Sequence, residues 1–312
     1  MKMAFLFPGQ ASQYVGMGKD WYETFPFSKE IYDKAADSLQ FDVRSVSFSG
    51  PRETLRETKI CQPAIFLHSL SVVEELRRRG VEPDFVAGHS LGEHVSLSAV
   101  GVLGVDDGLY LVRVRGEAVQ EASEIHPGTM AAIIGLNEEH VEAICREVRG
   151  AGVLVAANYN APGQVVVSGE RSLVERVVEL VRQQKGRAVH LEVSGAFHTS
   201  FMDPARQRVQ QVLSELPVSD PAIPIIANVD AKPMTTVAQI RKNLVAQLTS
   251  PVRWRESMEY LVKAGVDTFI EVGPGKVLQG LLLRIRRQVK VYGVDTVADL
   301  EKIPIAELKS GK

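Results

Sequence analysis

Short, continuous apolar runs recur along the chain at residues 3–7, 84–88, 223–227, 267–272 and 289–293, with helical patterns between the later ones. A run of about five residues is strand length rather than helix length, and Pro8-Gly9 stops the first of them. A strand that is apolar along its whole length is covered on both faces, which is the habit of parallel strands joined by crossover helices. Residues 62–79 read as one such helix. Pro63 suits its first turn, apolar side chains recur from Ile65 to Leu76, Arg77, Arg78 and Arg79 fill the last turn, and Gly80 stops it. The pattern predicts an α/β core with a mainly parallel sheet.

Residues 129–194 have a different rhythm. The predicted order is strand (Thr129–Gly135), helix (Glu138–Val148), strand (Val153–Asn158), strand (Gln164–Ser168), helix (Ser172–Lys185) and strand (Ala188–Val193), with a turn at Asn160–Gly163 between the middle strands. That βαββαβ order is the ferredoxin-like motif. It predicts a subdomain at 128–195 inserted in a larger domain built from 1–127 and 196–312.

The 312 residues suffice for a main domain with a smaller companion, and apolar residues at 45% can build a core. A net charge of −2 gives no support to nucleic-acid binding. The two cysteines, Cys61 and Cys145, form no CxxC pair, so neither a metal cluster nor a disulfide framework is expected and a reducing cytoplasm fits. No signal peptide is read at the start, and no stretch reaches the roughly 18 apolar residues of a membrane span.

Gly88-His89-Ser90-Leu91-Gly92 matches G-x-S-x-G where a strand turns into a helix. Such a turn crowds the backbone around the serine, so glycines on either side avoid Cβ clashes. It pushes the hydroxyl out at the end of the sheet and aims the first free N–H groups of the helix at the same place, where they can hold an oxyanion. The bland alternative is a tight turn whose serine only caps the helix. A serine nucleophile needs a base. His68 falls inside a helix and His140 near the start of one, and His89 and His94 adjoin Ser90, where neighbours usually point away. His198 stands on the junction after the last subdomain strand, within reach of a cleft between the domains. Spacing alone leaves His198 and His89 both open as the base.

With these residues the chain resembles the malonyl-CoA–acyl carrier protein transacylases of fatty-acid synthesis and their polyketide-synthase relatives. The matching segments are FPGQASQ from Phe7, GHSLGE from Gly88, RVRG from Arg113, NYNAPGQ from Asn158, GAFH from Gly195, QLTSPV from Gln247 and EVGPG from Glu271. They run in order over nearly the whole chain. The resemblance implies a large α/β-hydrolase-like domain with a ferredoxin-like subdomain. It implies Ser90 as the nucleophile that carries the malonyl ester and His198 as its base and acid. A backbone carbonyl at Gln247 would orient the histidine in place of an acidic residue. The backbone N–H groups of Gln10 and Leu91 would form the oxyanion hole, and Arg115 would grip the free carboxylate of malonate. Leu91 with Phe197 goes, in related polyketide enzymes, with malonyl rather than methylmalonyl. Malonyl-CoA and holo acyl carrier protein are the implied partners, with no cofactor. His94 departs from the pattern, because relatives usually carry Tyr or Phe there.

Outside the resemblance each residue has a plainer reading. Arg115 and Arg113 would be surface or ion-paired helix arginines. Gln10 would belong to a turn, and Gln247 would be a helix-end amide. Arg284, Arg286, Arg287 and Lys290, or Lys185 with Arg187, are candidate docking patches for an acidic carrier protein, though a solvated charged face reads as well. Two rival functions remain, a serine thioesterase and a catalytically idle docking module.

Overall fold

The computed structural model describes residues 1–309. Among them are ten strands: β1 (Met3–Phe7), β2 (Phe85–Gly88), β3 (Thr129–Ile134), β4 (Leu154–Ala161), β5 (Gln164–Gly169), β6 (Arg187–His190), β7 (Ile225–Ile226), β8 (Pro233–Met234), β9 (Thr268–Val272) and β10 (Lys290–Val294). They form two sheets. The larger has the order β10-β9-β1-β2-β7-β8, and every pairing in it is parallel except β7 with β8. The expected α/β core is therefore present. The run at 223–227 shrinks to the two residues of β7, because Pro224 precedes it and cannot donate to a ladder.

The first strand sits in the middle of this sheet. The chain leaves β1 for β2 on one side, and β9 closes the other side much later. A crevice opens beyond the carboxyl ends of strands at such a reversal of order. Pro8–Gln10, His89–Ser90 and Gly273–Gly275 all leave strands at that end.

The helix expected from residue 62 begins four residues earlier, at Thr58, and runs to Arg78, so Pro63 lies inside it rather than in its first turn. The proline withholds one helical N–H. The surroundings compensate, since Thr58, Ile60–Val73 and Leu76 are all buried on this helix. The Val105–Ile125 helix packs beside it, opening after Gly104 with Asp106 and Asp107 placed where the helix N-terminus favours anions. Among the described residues no helix is long and apolar enough to cross a membrane.

The smaller sheet is antiparallel, in the order β4-β5-β3-β6, with the helices Glu138–Arg149 and Arg171–Gln183 between its strands in the ferredoxin-like sequence. Alternation divides its faces. Ala131, Ile133, Val165 and Val167 pack on the two helices, while Met130, Ala132 and Val166 face the other way. β4 runs on to Ala161, past its expected end at Asn158, so the turn contracts to Pro162-Gly163. Register shifts between Ala156 and Asn158 and between Tyr159 and Ala161 break the alternation. Asn158 and Asn160 both come to line the open cleft. β6 is shorter than expected and ends at His190. The Tyr159 N–H donates to the Val252 carbonyl at 2.9 Å, and the Val252 N–H to Ala157 at 2.8 Å, which ties β4 to the larger body.

Candidate active site

Three glycines let the elbow close. A Cβ on Gly88 would lie 1.8 Å from the Gly92 carbonyl carbon, one on Gly92 2.1 Å from the Phe7 oxygen, and one on Gly9 2.5 Å from the His89 oxygen. Ser90 sits between with φ 51°, outside the regions an L-residue prefers. Its N–H donates to Asn228 Oδ1 at 2.8 Å, and Asn228 Nδ2 donates to the Gly88 carbonyl at 2.7 Å, so one amide clamps both sides of the turn.

His198 also has a positive φ, 62°, on a loop that Ser168 holds through the Phe197 carbonyl (2.7 Å) and Thr199 through the Ala196 carbonyl (2.8 Å). Its Nδ1 lies 2.9 Å from the Gln247 carbonyl and 3.1 Å from that of Ser250. Carbonyls only accept, so Nδ1 carries the proton and Nε2 presents its lone pair. Ser90 Oγ is 2.9 Å from that Nε2. Among the described residues no carboxylate bonds to this imidazole; the orienting acceptors are main-chain oxygens. Burial first, and then the field of Arg115, push His198 down to about 4 against the pull of the Gln247 carbonyl, which keeps the ring neutral at neutral pH.

His89 is turned away. Its Nε2 is 2.9 Å from Asn160 Oδ1, and its ring packs on Trp254. His94 is fully buried on the helix after Ser90, and its nearest polar neighbour is the Ser90 main chain. Burial and then Arg115 hold its pKa well below the ordinary value.

Arg115 is 4% exposed. Nη1 donates to Gln62 Oε1 at 2.8 Å, and Nη2 donates to Gln247 Oε1 and to Ser90 Oγ, both at 3.2 Å. Nε is buried with no acceptor. Burial lowers Arg115 to about 10, with Glu93 acting against it, so it stays cationic at neutral pH. Arg113 instead pairs with Glu117 at 3.1 Å, the bland role expected of it.

Gln247 ends its helix, as expected of a helix-end amide, yet it is wholly buried and serves the site through both its carbonyls. Gln10 anchors its side chain on Thr58 Oγ1 at 3.1 Å. Gln10 and Leu91 line the same small cavity as Ser90, His198, Arg115 and Phe197. An open cleft leads there, walled by Met130, Val166, Leu191 and Val193 on one side and by Val277, Leu278 and Leu281 on the other.

Ser90, His198, Arg115, Gln10, Leu91 and Phe197 thus line one cavity, with Gln247 bonded to Arg115 at its edge, while His89 and Arg113 do not reach it. Sequence reasoning missed Gln62 and Asn228, which hold Arg115 and Ser90 in place across 53 and 138 residues of chain. Nothing local marks either one, because an isolated Gln in a helix or Asn after a strand is ordinary.

The placement of Ser90 Oγ within 2.9 Å of an imidazole oriented by main-chain carbonyls suits transfer of an acyl group through the serine oxygen. The chain belongs to the acyl transferase domain family, whose model matches residues 4–304. It is 44% identical over 307 residues to a malonyl CoA-acyl carrier protein transacylase of Bacillus subtilis, covering 98% of this chain and 96% of that one. Its fold superposes on an acyl-carrier-protein-S-malonyltransferase from Bartonella henselae with a TM-score of 0.95 at 39% identity, covering 99% of this chain and all of that one. It also superposes on a malonyl-transacylase in complex with a type II PKS acyl-carrier protein, with a TM-score of 0.93 at 36% identity over 96% and 98% of the two chains.

Proposed function

We propose that this enzyme transfers the malonyl group of malonyl-CoA to the phosphopantetheine thiol of an acyl carrier protein through a seryl ester, supplying extender units for fatty-acid synthesis. The observation that carries the reading is the placement of Ser90 Oγ, which is shared by His198 Nε2 at 2.9 Å and Arg115 Nη2 at 3.2 Å. A nucleophile beside a buried cation with a spare donor suits an acyl group that carries its own carboxylate.

Ser90 Oγ attacks the thioester carbon as its proton passes to His198 Nε2. The oxyanion lies between the N–H groups of Gln10 and Leu91. The carbon–sulfur bond breaks, His198 returns its proton to the coenzyme A sulfur, and the malonyl ester stays on Ser90. In the second half His198 takes the proton of the carrier thiol, the sulfur attacks the ester carbon, and Ser90 recovers its proton as the carbon–oxygen bond breaks. Arg115 holds the free carboxylate throughout. Phe197 narrows the cavity against a branch on the middle carbon. The groups that act are all side chains and backbone amides, so the reaction as drawn draws on no cofactor.

A body of 1–127 with 196–312 and an insert of 128–195 fit this reading, with the cleft between them as the path of the pantetheine arm. The exposed cations Arg284, Arg286, Arg287 and Lys290 adjoin the cleft-lining residues Val277 and Leu281 and suit an acidic carrier protein. A cytoplasmic setting agrees with two buried, unpaired cysteines.

The test is transfer from a panel of acyl-CoA thioesters to holo acyl carrier protein. Malonyl carrier protein forming well ahead of free malonate supports the transferase. Faster release of malonate favours a thioesterase instead.

A further inference from the structure

Glu93 has no task in the mechanism above. It sits one turn past Ser90 and is fully buried. Its Oε1 accepts from the Asn228 N–H at 3.2 Å and its Oε2 from Gln247 Nε2 at 2.5 Å, both neutral donors. Among the described residues it forms no ion pair. The same Gln247 amide accepts from Arg115 Nη2 through its oxygen. Guanidinium, amide and carboxylate therefore stand in a chain, one positive and one negative charge separated by one amide. Such a pocket carries no net charge when Glu93 is ionised. A substrate carboxylate on Arg115 would set two negative charges against one cation in a buried site, and like charges at such range do not both persist.

We propose that Glu93 is the resting counter-charge of Arg115, and that it takes up one proton from solvent when the carboxylate of malonyl-CoA binds Arg115. The inference rests on the malonyl reading of the site. A carboxylate on Nη2 would compete with the Gln247 side-chain oxygen for that nitrogen. Gln247 Nε2 is pinned to the Ser90 carbonyl at 2.8 Å as well as to Glu93, so the amide keeps its orientation while the carboxyl group gains its proton. The proton returns to solvent when the malonyl group leaves.

The surroundings leave Glu93 as the group that responds. Burial raises it to about 7, against the hydrogen bonds from Gln247 and Asn228 and the field of Arg115; Asp230, from the loop after β7, pushes it further up. The other ionisable groups that feel Arg115 stay neutral near neutral pH. Burial holds His94 and His198 deprotonated and keeps Cys61 a thiol.

Full-length protein carrying Ser90→Ala, which cannot be acylated, is titrated calorimetrically with malonyl-CoA and with acetyl-CoA in buffers of different ionisation enthalpy. At about pH 8 malonyl-CoA should take up roughly half a proton or more beyond acetyl-CoA, and at about pH 6, where Glu93 is already protonated, the excess should fall toward zero. Adding Glu93→Gln should abolish the excess while the preference for malonyl-CoA survives. Should that variant not fold, the infrared difference spectrum of the Ser90→Ala protein on binding malonyl-CoA serves instead, and a new protonated-carboxyl band is expected. Equal buffer dependence for the two esters, with malonyl-CoA still bound tighter, overturns the inference and leaves the malonyl reading standing. Survival of the excess in Glu93→Gln, or the absence of such a band, overturns it equally. No preference for malonyl-CoA over acetyl-CoA removes the reading beneath it as well.

Discussion

Replacing Arg115 by alanine separates binding of the acyl chain from recognition of its carboxylate. In the free enzyme two of the three guanidinium nitrogens are held by Gln62, Gln247 and Ser90, and Nε has no acceptor. A malonyl carboxylate would compete with the Gln247 and Ser90 oxygens for Nη2. Charge-assisted bonds of this kind contribute about 1.5–3 kcal/mol each. Part of that is already spent on the neutral oxygens that Nη2 gives up, so the pair is worth less than its sum. Breaking a buried ion pair from one side costs about 3–5 kcal/mol, which is roughly a 150- to 5,000-fold loss in kcat/KM. Acetyl-CoA brings no partner for the cation, so the same variant should transfer acetyl as well as the parent or up to about tenfold better. Arg115→Lys should recover only part of the malonyl rate, because a point charge does not reproduce the planar fork. The assay is steady-state transfer of each acyl group to holo acyl carrier protein. An Arg115→Ala enzyme that handles malonyl within about twofold of the parent would refute the argument, since so small a change is below 1 kcal/mol.

Four further outcomes follow from the geometry. The neutral His198 imidazole should keep kcat/KM for acylation by acetyl-CoA free of a histidine limb near pH 6.5; the decline should come only toward about 4, as Nε2 is protonated, and a limb in the usual histidine range would contradict the burial argument. The same shift has a stability consequence with a definite sign. The folded pKa is depressed, so the contribution of His198 itself to stability should decline as pH falls from about 6.5 toward 4; the raised pKa of Glu93 acts in the opposite sense, so the effect is read by denaturant titration as the difference between the parent and His198→Ala. Asn228→Ala strands the Ser90 N–H and the Gly88 carbonyl together, and should lower unfolding free energy by about 1–3 kcal/mol while reducing turnover, read by denaturant titration and transfer assay. Phe197→Ser widens the acyl cavity and should raise methylmalonyl transfer relative to malonyl by roughly tenfold, within the 1–3 kcal/mol that one methyl commands; an unchanged ratio in competition assays would show that Phe197 does not meet the branch.

Local rules make much of this molecule readable. The Gly88–Gly92 elbow declares itself because a Cβ on either glycine would fall within 2.1 Å of backbone atoms, and the strand before it is an unbroken apolar run. The ferredoxin-like order is legible for a similar reason: the Glu138–Arg149 and Arg171–Gln183 helices keep sharply amphipathic faces, with valines, Ile144 and Cys145 at helical spacing. The Thr58–Arg78 helix is harder to bound, since burial on nearly all sides erases its periodicity and leaves Pro63 as a misleading start signal. β7 and β8, at two residues each, carry too few side chains to show any period.

At the site, spacing does not choose between His89 and His198. The choice depends on where the Gln247 and Ser250 carbonyls fall, 49 and 52 residues beyond His198. Family motifs point to His198, whose Nε2 lies 2.9 Å from Ser90 Oγ, whereas His89 Nε2 bonds to Asn160. Gln62 and Asn228 are silent in the sequence because their importance is their position in space. Glu93 stands inside a recognised motif, yet its contact with Gln247 spans 154 residues, and only the packed structure reveals a carboxyl group facing an arginine across one amide.

The measurement closest to the central claim is the mass of the protein after brief mixing with malonyl-CoA in the absence of carrier protein. A malonyl increment is expected on the peptide bearing Ser90, lost in Ser90→Ala, slow to form in His198→Ala, and discharged when holo acyl carrier protein is added. An unmodified Ser90 in an enzyme that still transfers malonyl, or an increment on another residue, would contradict it.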